Sequence, residues 1–221
     1  MRRRIAAIVD YGLGNLHSVR LACEKVGIES VITSQAAELK SAGAVILPGV
    51  GAFGDAMKAL RHRGLVTAIR DLAASGKPLF GICLGMQLVM SESYEFGHHE
   101  GLDLIKGKVV QLPDPAENGN RLKVPHVGWN RVLRPARNGS VDGQWTDSVL
   151  AGLEAGTFQY FVHSFIAQPA ESELVLGETR YGDVTFCSVL HQGSVTAVQF
   201  HPERSGPAGL HIYRNFAKMI H

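Results

Sequence analysis

Cys83 stands in Gly81-Ile82-Cys83-Leu84-Gly85, where an apolar run ends and an amphipathic pattern begins. That is the layout of a nucleophile elbow, with cysteine in the place where serine is more usual. Glycines on either side keep side chains away while the backbone takes a strained turn. The sulfur is then held out at the end of a strand and the first turn of a helix, where unpaired N–H groups favour the nucleophilic thiolate. A buried strand cysteine ahead of a glycine turn has the same wording. A working nucleophile therefore needs a base, a group that orients the base, and donors for an oxyanion.

The chain has ten histidines, and one of them carries a reason for selection. His201-Pro202-Glu203 follows the apolar run Val195-Thr196-Ala197-Val198-Gln199-Phe200. Proline holds the preceding residue extended, and in an extended segment residues two apart share a side. His201 and Glu203 can thus face together, the carboxylate fixing one ring nitrogen and leaving the other for the thiol. By itself His-Pro-Glu also reads as a strand-ending turn with solvated side chains. The third part is Pro48-Gly49-Val50-Gly51, a glycine-rich loop able to aim backbone N–H groups at an oxyanion together with the N–H of Leu84. Alone it is a strand-to-helix turn; with the other two it forms a joint signal.

These parts need elements to hold them. Residues 5–9 form a β-branched first strand ending at Asp10. Asn15 is placed to cap a helix running toward Gly27. Residues 30–33 and 44–47 read as the second and third strands, residues 55–74 as one long helix stopped by Gly76 and Pro78, and residues 78–83 as the strand that carries the elbow. Strands alternating with helices predict an α/β fold, a doubly wound, mainly parallel sheet with its crevice at the carboxyl ends of the strands. Both Cys83 and the loop at 48–51 lie at such ends. From about Gly101 the texture changes. Short runs at 108–112, 158–165, 173–176, 186–190 and 195–200 are separated by turns, an antiparallel extension of the same sheet. Residues 114–120 and 134–143 read as polar loops rather than linkers. Residues 206–221 read as a closing helix with a core face of Leu210, Tyr213, Phe216, Ala217 and Ile220.

The totals agree with this. A chain of 221 residues fits one domain over 1–221, and such a chain buries about 70% of its unfolded surface. A net charge of +2 with 45% hydrophobic residues is globular and gives no reason to expect nucleic acid. Cys23, Cys83 and Cys187 make no disulfide framework, and an odd count fits a reducing compartment. The apolar run after Met1-Arg2-Arg3-Arg4 stops at Asp10, too short for a secretory core, and no run is long enough to span a bilayer. A cytoplasmic protein without membrane contact is expected. No cofactor or metal is expected either. Gly12-Leu13-Gly14 lacks the third glycine and the acidic residue of a dinucleotide fingerprint. His98-His99-Glu100 has no regular ligand spacing and reads as a solvated loop. Cys23 and Cys187 read as packing residues.

Gly81-Ile82-Cys83-Leu84-Gly85-Met86-Gln87 with His201-Pro202-Glu203 resembles the class I glutamine amidotransferases, in which a cysteine-histidine-glutamate triad releases ammonia from glutamine. Within them, the chain resembles the branch of glutaminases that serve imidazole glycerol phosphate synthase in histidine biosynthesis. The stretches that carry this span the chain: Asp10 to Leu16, Pro48 to Gly51, Pro125-His126-Val127-Gly128-Trp129-Asn130, Tyr160-Phe161-Val162-His163-Ser164-Phe165, and His201 to Ser205. Phe165 departs from that pattern, which usually has tyrosine there, so a pocket hydroxyl is missing and the backbone contact is the better expectation.

The resemblance implies roles. Cys83, His201 and Glu203 would be catalytic, with Val50, Leu84 and Gly51 forming the oxyanion hole. Gln87, Glu95, His163, Ser164 and Phe165 would bind L-glutamine. The partner would be a (β/α)8-barrel cyclase subunit in a heterodimer, with Asn15, Pro125 and Trp129 at the interface. A glutaminase of another pathway and a non-catalytic doubly wound module are the competing readings. The wording at 125–130 and 201–205 speaks against the first, and the presence of all three triad residues against the second.

Overall fold

A computed structural model describes residues 5–135 and 145–220. The first half alternates: β1 (Ile5–Val9), α1 (Leu16–Lys25), β2 (Glu29–Thr33), α2 (Ala36–Ser41), β3 (Ala44–Gly49), α3 (Phe53–His62), α4 (Leu65–Ala74), β4 (Leu79–Cys83) and α5 (Leu84–Leu88). The second half is strand-rich: β5 (Met90–Ser93), β6 (His99–Glu100), β7 (Ile105–Gln111), β8 (Ala116–Glu117), β9 (Asn120–Arg121), β10 (His126–Val132), β11 (Thr157–His163), β12 (Phe165–Pro169), β13 (Val175–Tyr181), β14 (Val184–Gln192) and β15 (Val195–Val198). Helix α6 (Gly206–Met219) closes the described chain.

The main sheet has seven strands in the order β13-β14-β15-β4-β3-β1-β2. The run from β15 to β2 is parallel, and β14 and β13 extend it antiparallel. Both faces are covered, which is why β1, β3, β4 and β15 are almost continuously apolar and buried. Phe53, Met57 and Leu60 of α3 pack on one face with Leu65 and Ile69 of α4. Val19 and Cys23 of α1 pack on the other with Ile212, Tyr213 and Phe216 of α6. The doubly wound sheet with an antiparallel extension is thus present. Among the described residues no helix is long and apolar enough to cross a membrane.

The second half departs from the expected layout. It does not simply extend the sheet: β12-β7-β5-β6 form a sheet of their own and β10-β11 a separate hairpin. The run at 195–200, expected in the antiparallel extension, instead supplies β15, which pairs parallel with β4 inside the main sheet, a difference of partner that an apolar run does not reveal. The run 158–165 is two strands, because residues up to His163 pair with β10 and those from Phe165 pair with β7. A strand that changes partner keeps its β-branched and aromatic texture, so local pattern does not reveal the break. Residues 173–176 begin as a 3-10 turn, Ser172–Leu174, before β13. Helix α2 and strands β5, β6, β8, β9 and β10 go unseen in the sequence pattern. The long helix at 55–74 is also two, broken where Gly64 takes φ 66°. Helix α5 has only five residues, all buried rather than amphipathic, and leads straight into β5. Residues 1–4, 136–143 of the second polar loop, and His221 lie outside the described residues.

Candidate active site

Strand β4 delivers Cys83 to the carboxyl edge of the sheet, between β3 and β15. Register with β3 pairs Gly49 with Cys83, so the loop at 48–51 leaves the sheet beside the nucleophile. The turn is as strained as an elbow requires: Cys83 has φ 54° and ψ −109°, a region that L-residues rarely enter. Gly85 makes it possible, because a methyl at that position would overlap the Leu47 carbonyl oxygen. With α5 only five residues long, its dipole is weaker than that of a long helix.

After β15 the chain continues extended through Gln199 and His201. The Gln199 N–H donates to Ser188 O at 2.9 Å and the His201 N–H to Tyr160 O at 2.8 Å. His201 Nδ1 lies 2.8 Å from Glu203 Oε1, and the Glu203 side chain is only 1% exposed. A carboxylate accepts, so Nδ1 carries the proton and Nε2 is the nitrogen left for the reaction. Among the described residues Nε2 is buried and makes no well-formed hydrogen bond, and the group that acts on it is the Cys83 sulfur. Burial of the ring opposes its charge, but the Cys83 sulfur and the Glu203 carboxylate outweigh it and raise the His201 pKa to about 10. A ring held toward its charged form by these two groups is suited to give a proton to a leaving group.

Cys83 and His201 open into a cavity of about 700 Å³. Val50, Gly51, Leu84, Gln87, Glu95, His163, Ser164 and Phe165 all line it, so the expected oxyanion and substrate residues converge. Glu203 stands behind His201, outside the lining. Cys83 itself is 6% exposed, its thiol directed at Val162 O at 3.9 Å.

The lining residues are tied down in ways their types alone did not reveal. Glu95 Oε2 accepts the Phe53 N–H at 2.5 Å, tying the pocket wall to the start of α3 just beyond the oxyanion loop. Burial raises the Glu95 pKa, and that backbone N–H pulls it partly back. The Tyr11 hydroxyl donates to Pro48 O at 2.8 Å and anchors the loop from below. The Phe165 carbonyl accepts from Gln87 Nε2 at 3.1 Å and from His163 Nδ1 at 3.0 Å. The Phe165 ring meets Phe96 edge-on at 6.1 Å.

Behind the pocket a line of hydrogen bonds has one possible direction. His163 Nδ1 must donate to a carbonyl, so its Nε2 accepts from His126 Nδ1 at 3.0 Å. His126 Nε2 in turn faces Asn130 Nδ2 at 3.3 Å. Burial lowers the pKa of His126 to about 4 and, with His126 alongside, that of His163 to about 3, so both rings are neutral at pH 7.

The expected interface residues are all exposed. Asn15 caps α1 by accepting the Ser18 N–H at 3.4 Å. Pro125 lies on the cavity rim, and Trp129 is 56% exposed on β10 rather than part of the core. Trp129 stands opposite Tyr160 with ring centroids 6.0 Å apart. Elsewhere, His98 pairs with Glu92 at 2.9 Å, and His99 lies against Phe53. Cys23 and Cys187 are buried packing residues. One residue at the centre was missed: Gln199, whose Nε2 lies 3.8 Å from Cys83 Sγ. A lone amide in an apolar run, two positions before His201 and so on its side of the chain, was the available signal.

The family model for glutamine amidotransferase class-I matches residues 7–220. The chain is 45% identical over 213 residues to the imidazole glycerol phosphate synthase subunit HisH of Syntrophotalea carbinolica, covering 96% of this chain and 98% of that protein. It is 45% identical over 217 residues to the HisH subunit of Moorella thermoacetica, covering 98% and 96%. Among solved structures, PurLQS from Thermotoga maritima superposes with a TM-score of 0.72 at 19% identity, over 98% of each chain. A crystal structure of a glutamine amidotransferase superposes with a TM-score of 0.71 at 21% identity, over 97% of this chain and 98% of that one. At such identities the structural likeness speaks for the fold alone.

Proposed function

The chain belongs to the class I glutamine amidotransferases, and from that premise we propose that it is the glutaminase subunit of an imidazole glycerol phosphate synthase. It hydrolyses L-glutamine to L-glutamate and ammonia in the cytoplasm and hands the ammonia to a (β/α)8-barrel cyclase partner in a heterodimer. The observation that carries the chemistry is a strained Cys83 sharing one cavity with His201, whose Nδ1 is held by Glu203 at 2.8 Å while the buried Nε2 is left to the Cys83 side. The pathway rests on 45% identity along nearly the whole length of HisH subunits.

The Cys83 thiolate attacks the side-chain amide carbon of glutamine. Backbone N–H groups of Val50 and Leu84, with Gly51 shaping the loop, receive the oxyanion. As the C–N bond breaks, the proton on His201 Nε2 passes to the departing nitrogen, leaving ammonia and a glutamyl thioester. His201, now neutral, takes a proton from water; the hydroxide adds to the thioester, the C–S bond breaks, and glutamate leaves. Glu203 holds the ring and its charge throughout. Gln87, Glu95 and the backbone of residues 163–165 grip the amino-acid end of the substrate. Asn15, Pro125 and Trp129 meet the cyclase. An exposed tryptophan paired with a tyrosine is a fitting anchor for such a contact.

The test is glutamate release from glutamine by the purified chain, alone and with a barrel cyclase plus its nucleotide ligand. Release that rises with the cyclase and vanishes in Cys83→Ala is expected. Release indifferent to the cyclase would assign the chain to another pathway, and no release under either condition would overturn the reading.

A further inference from the structure

Gln199 is fully buried, and its side chain bridges the nucleophile to a pocket residue. Its Nε2 lies 3.8 Å from Cys83 Sγ, and its Oε1 lies 3.2 Å from Gln87 Nε2. Amide nitrogen and oxygen look alike in outline, so the direction of the bridge has to be reasoned from its partners. A backbone carbonyl settles it. Phe165 O can only accept, so Gln87 must present its NH2 to it, at 3.1 Å. The second hydrogen of that same NH2 then points to Gln199, which must answer with its oxygen. The only group Gln199 has left for the sulfur is its own NH2. Polarity therefore runs one way, from Phe165 O through Gln87 to Gln199 and out to Cys83. Reversing either amide would set two donors or two acceptors against each other in a buried site, which is costly.

From this geometry we infer that Gln199 is a further catalytic residue, an N–H donor that stabilises the Cys83 thiolate and locks Gln87 in its substrate-binding orientation. The inference deepens the glutaminase reading and rests on it. A donor facing sulfur favours the anion over the thiol. It is well placed for this, because the backbone on either side is clamped: Gln199 N to Ser188 O and His201 N to Tyr160 O. Donor and base thus reach Cys83 from one rigid extended segment. The helix at the elbow is five residues long, which leaves more of the work of holding the anion to these side chains.

The experiment measures the rate of Cys83 alkylation by iodoacetamide against pH, which requires neither glutamine nor a partner, with Cys83→Ala to subtract labelling of Cys23 and Cys187. Two variants are compared with the wild type, Gln199→Glu and Gln199→Met, each confirmed as folded by near-ultraviolet circular dichroism. Glutamate turns the sulfur's donor into an acceptor, and methionine of similar volume removes it. The alkylation midpoint is expected to rise by about one pH unit or more in Gln199→Glu and by a smaller amount in Gln199→Met. Glutamate release should fall by about tenfold or more in both, with KM rising as Gln87 loses its lock. An unmoved alkylation midpoint in either folded variant overturns the inference, whether or not turnover falls. A wild type that alkylates normally yet releases no glutamate would instead strike the glutaminase reading and leave the Gln199 contact standing.

Discussion

The parallel strands β3, β4 and β15 and the antiparallel hairpin β10-β11 build the same cavity by opposite means. In the parallel group nearly every side chain is buried on both faces, and position is set by backbone register: Gly49 beside Cys83, Val198 beside Ile82. Reacting groups stand at strand ends because the interior has no room for them. The hairpin has two different faces. Inward, His126 and His163 oppose each other and lead toward Phe165 O and Gln87. Outward, the pairs Val127–Val162, Trp129–Tyr160 and Arg131–Phe158 form an exposed stripe. Guanidinium groups of Arg131 and Arg204 lie over Phe158 and Tyr160 at 5.1 and 4.8 Å. The parallel group can hold atoms for chemistry. A two-faced hairpin can in addition put an outer surface in contact with an inner wall.

If this division is right, changes in the parallel group should strike chemistry or folding outright, and changes in the hairpin should strike regulation or pH response. Glu203→Gln should lower glutamate release by about 10³-fold with KM little altered, because the imidazolium loses its counter-charge. Steady-state kinetics with the cyclase present would show this, and a loss expressed only in KM would refute it. Gly85→Ala should cost about 3 kcal/mol of stability, since the Leu47 carbonyl is backbone and cannot step aside. The urea midpoint of the isolated chain measures it.

The inner face of the hairpin predicts an acid weakness. His126 and His163 titrate near 4 and 3 in the fold, below the ordinary imidazole value of 6.5. The unfolded chain therefore binds more protons from about pH 6.5 down to about 4 at His126 and down to about 3 at His163. Stability from these groups is complete above that window and drains as pH falls through it, by up to about 1.4 kcal/mol per pH unit for each ring. Urea midpoints at pH 7 and 5.5 should show the loss, and His126→Gln should flatten it. The outer face predicts the smallest effect on the chain itself. Trp129→Ala should leave the urea midpoint within about 0.5 kcal/mol and Cys83 alkylation unchanged, yet weaken cyclase binding by about tenfold. A variant equally damaged in isolation would show that the hairpin is part of the core after all.

Much of the site was legible because its chemistry is local. Gly81, Cys83 and Gly85 mark the elbow within five residues, and His201 and Glu203 lie two apart on one extended segment, so spacing alone predicts their pairing. The alternation of β1 to β4 with helices was legible for the same reason, since a strand buried on both faces writes itself as an apolar run. The recognition side was harder. Its atoms include the Phe165 carbonyl, the Phe53 N–H that holds Glu95, and the amide of Gln199, whose partners lie 42 to 116 positions away. Backbone groups leave no trace in residue type, and a lone glutamine in a strand announces nothing until its neighbours are known.

By itself, then, the sequence placed Cys83 at an elbow between two glycines, set His201 and Glu203 two apart on one extended segment, and marked the first four strands as buried apolar runs, since each depends on spacing within a few residues. Only the tertiary structure decided that α5 is a single short turn, that residues 158–165 divide between two sheets, and which way the Phe165–Gln87–Gln199 line points. Those outcomes depend on which distant groups meet, and hydrogen-bond polarity in a buried site is fixed by the whole set of partners together.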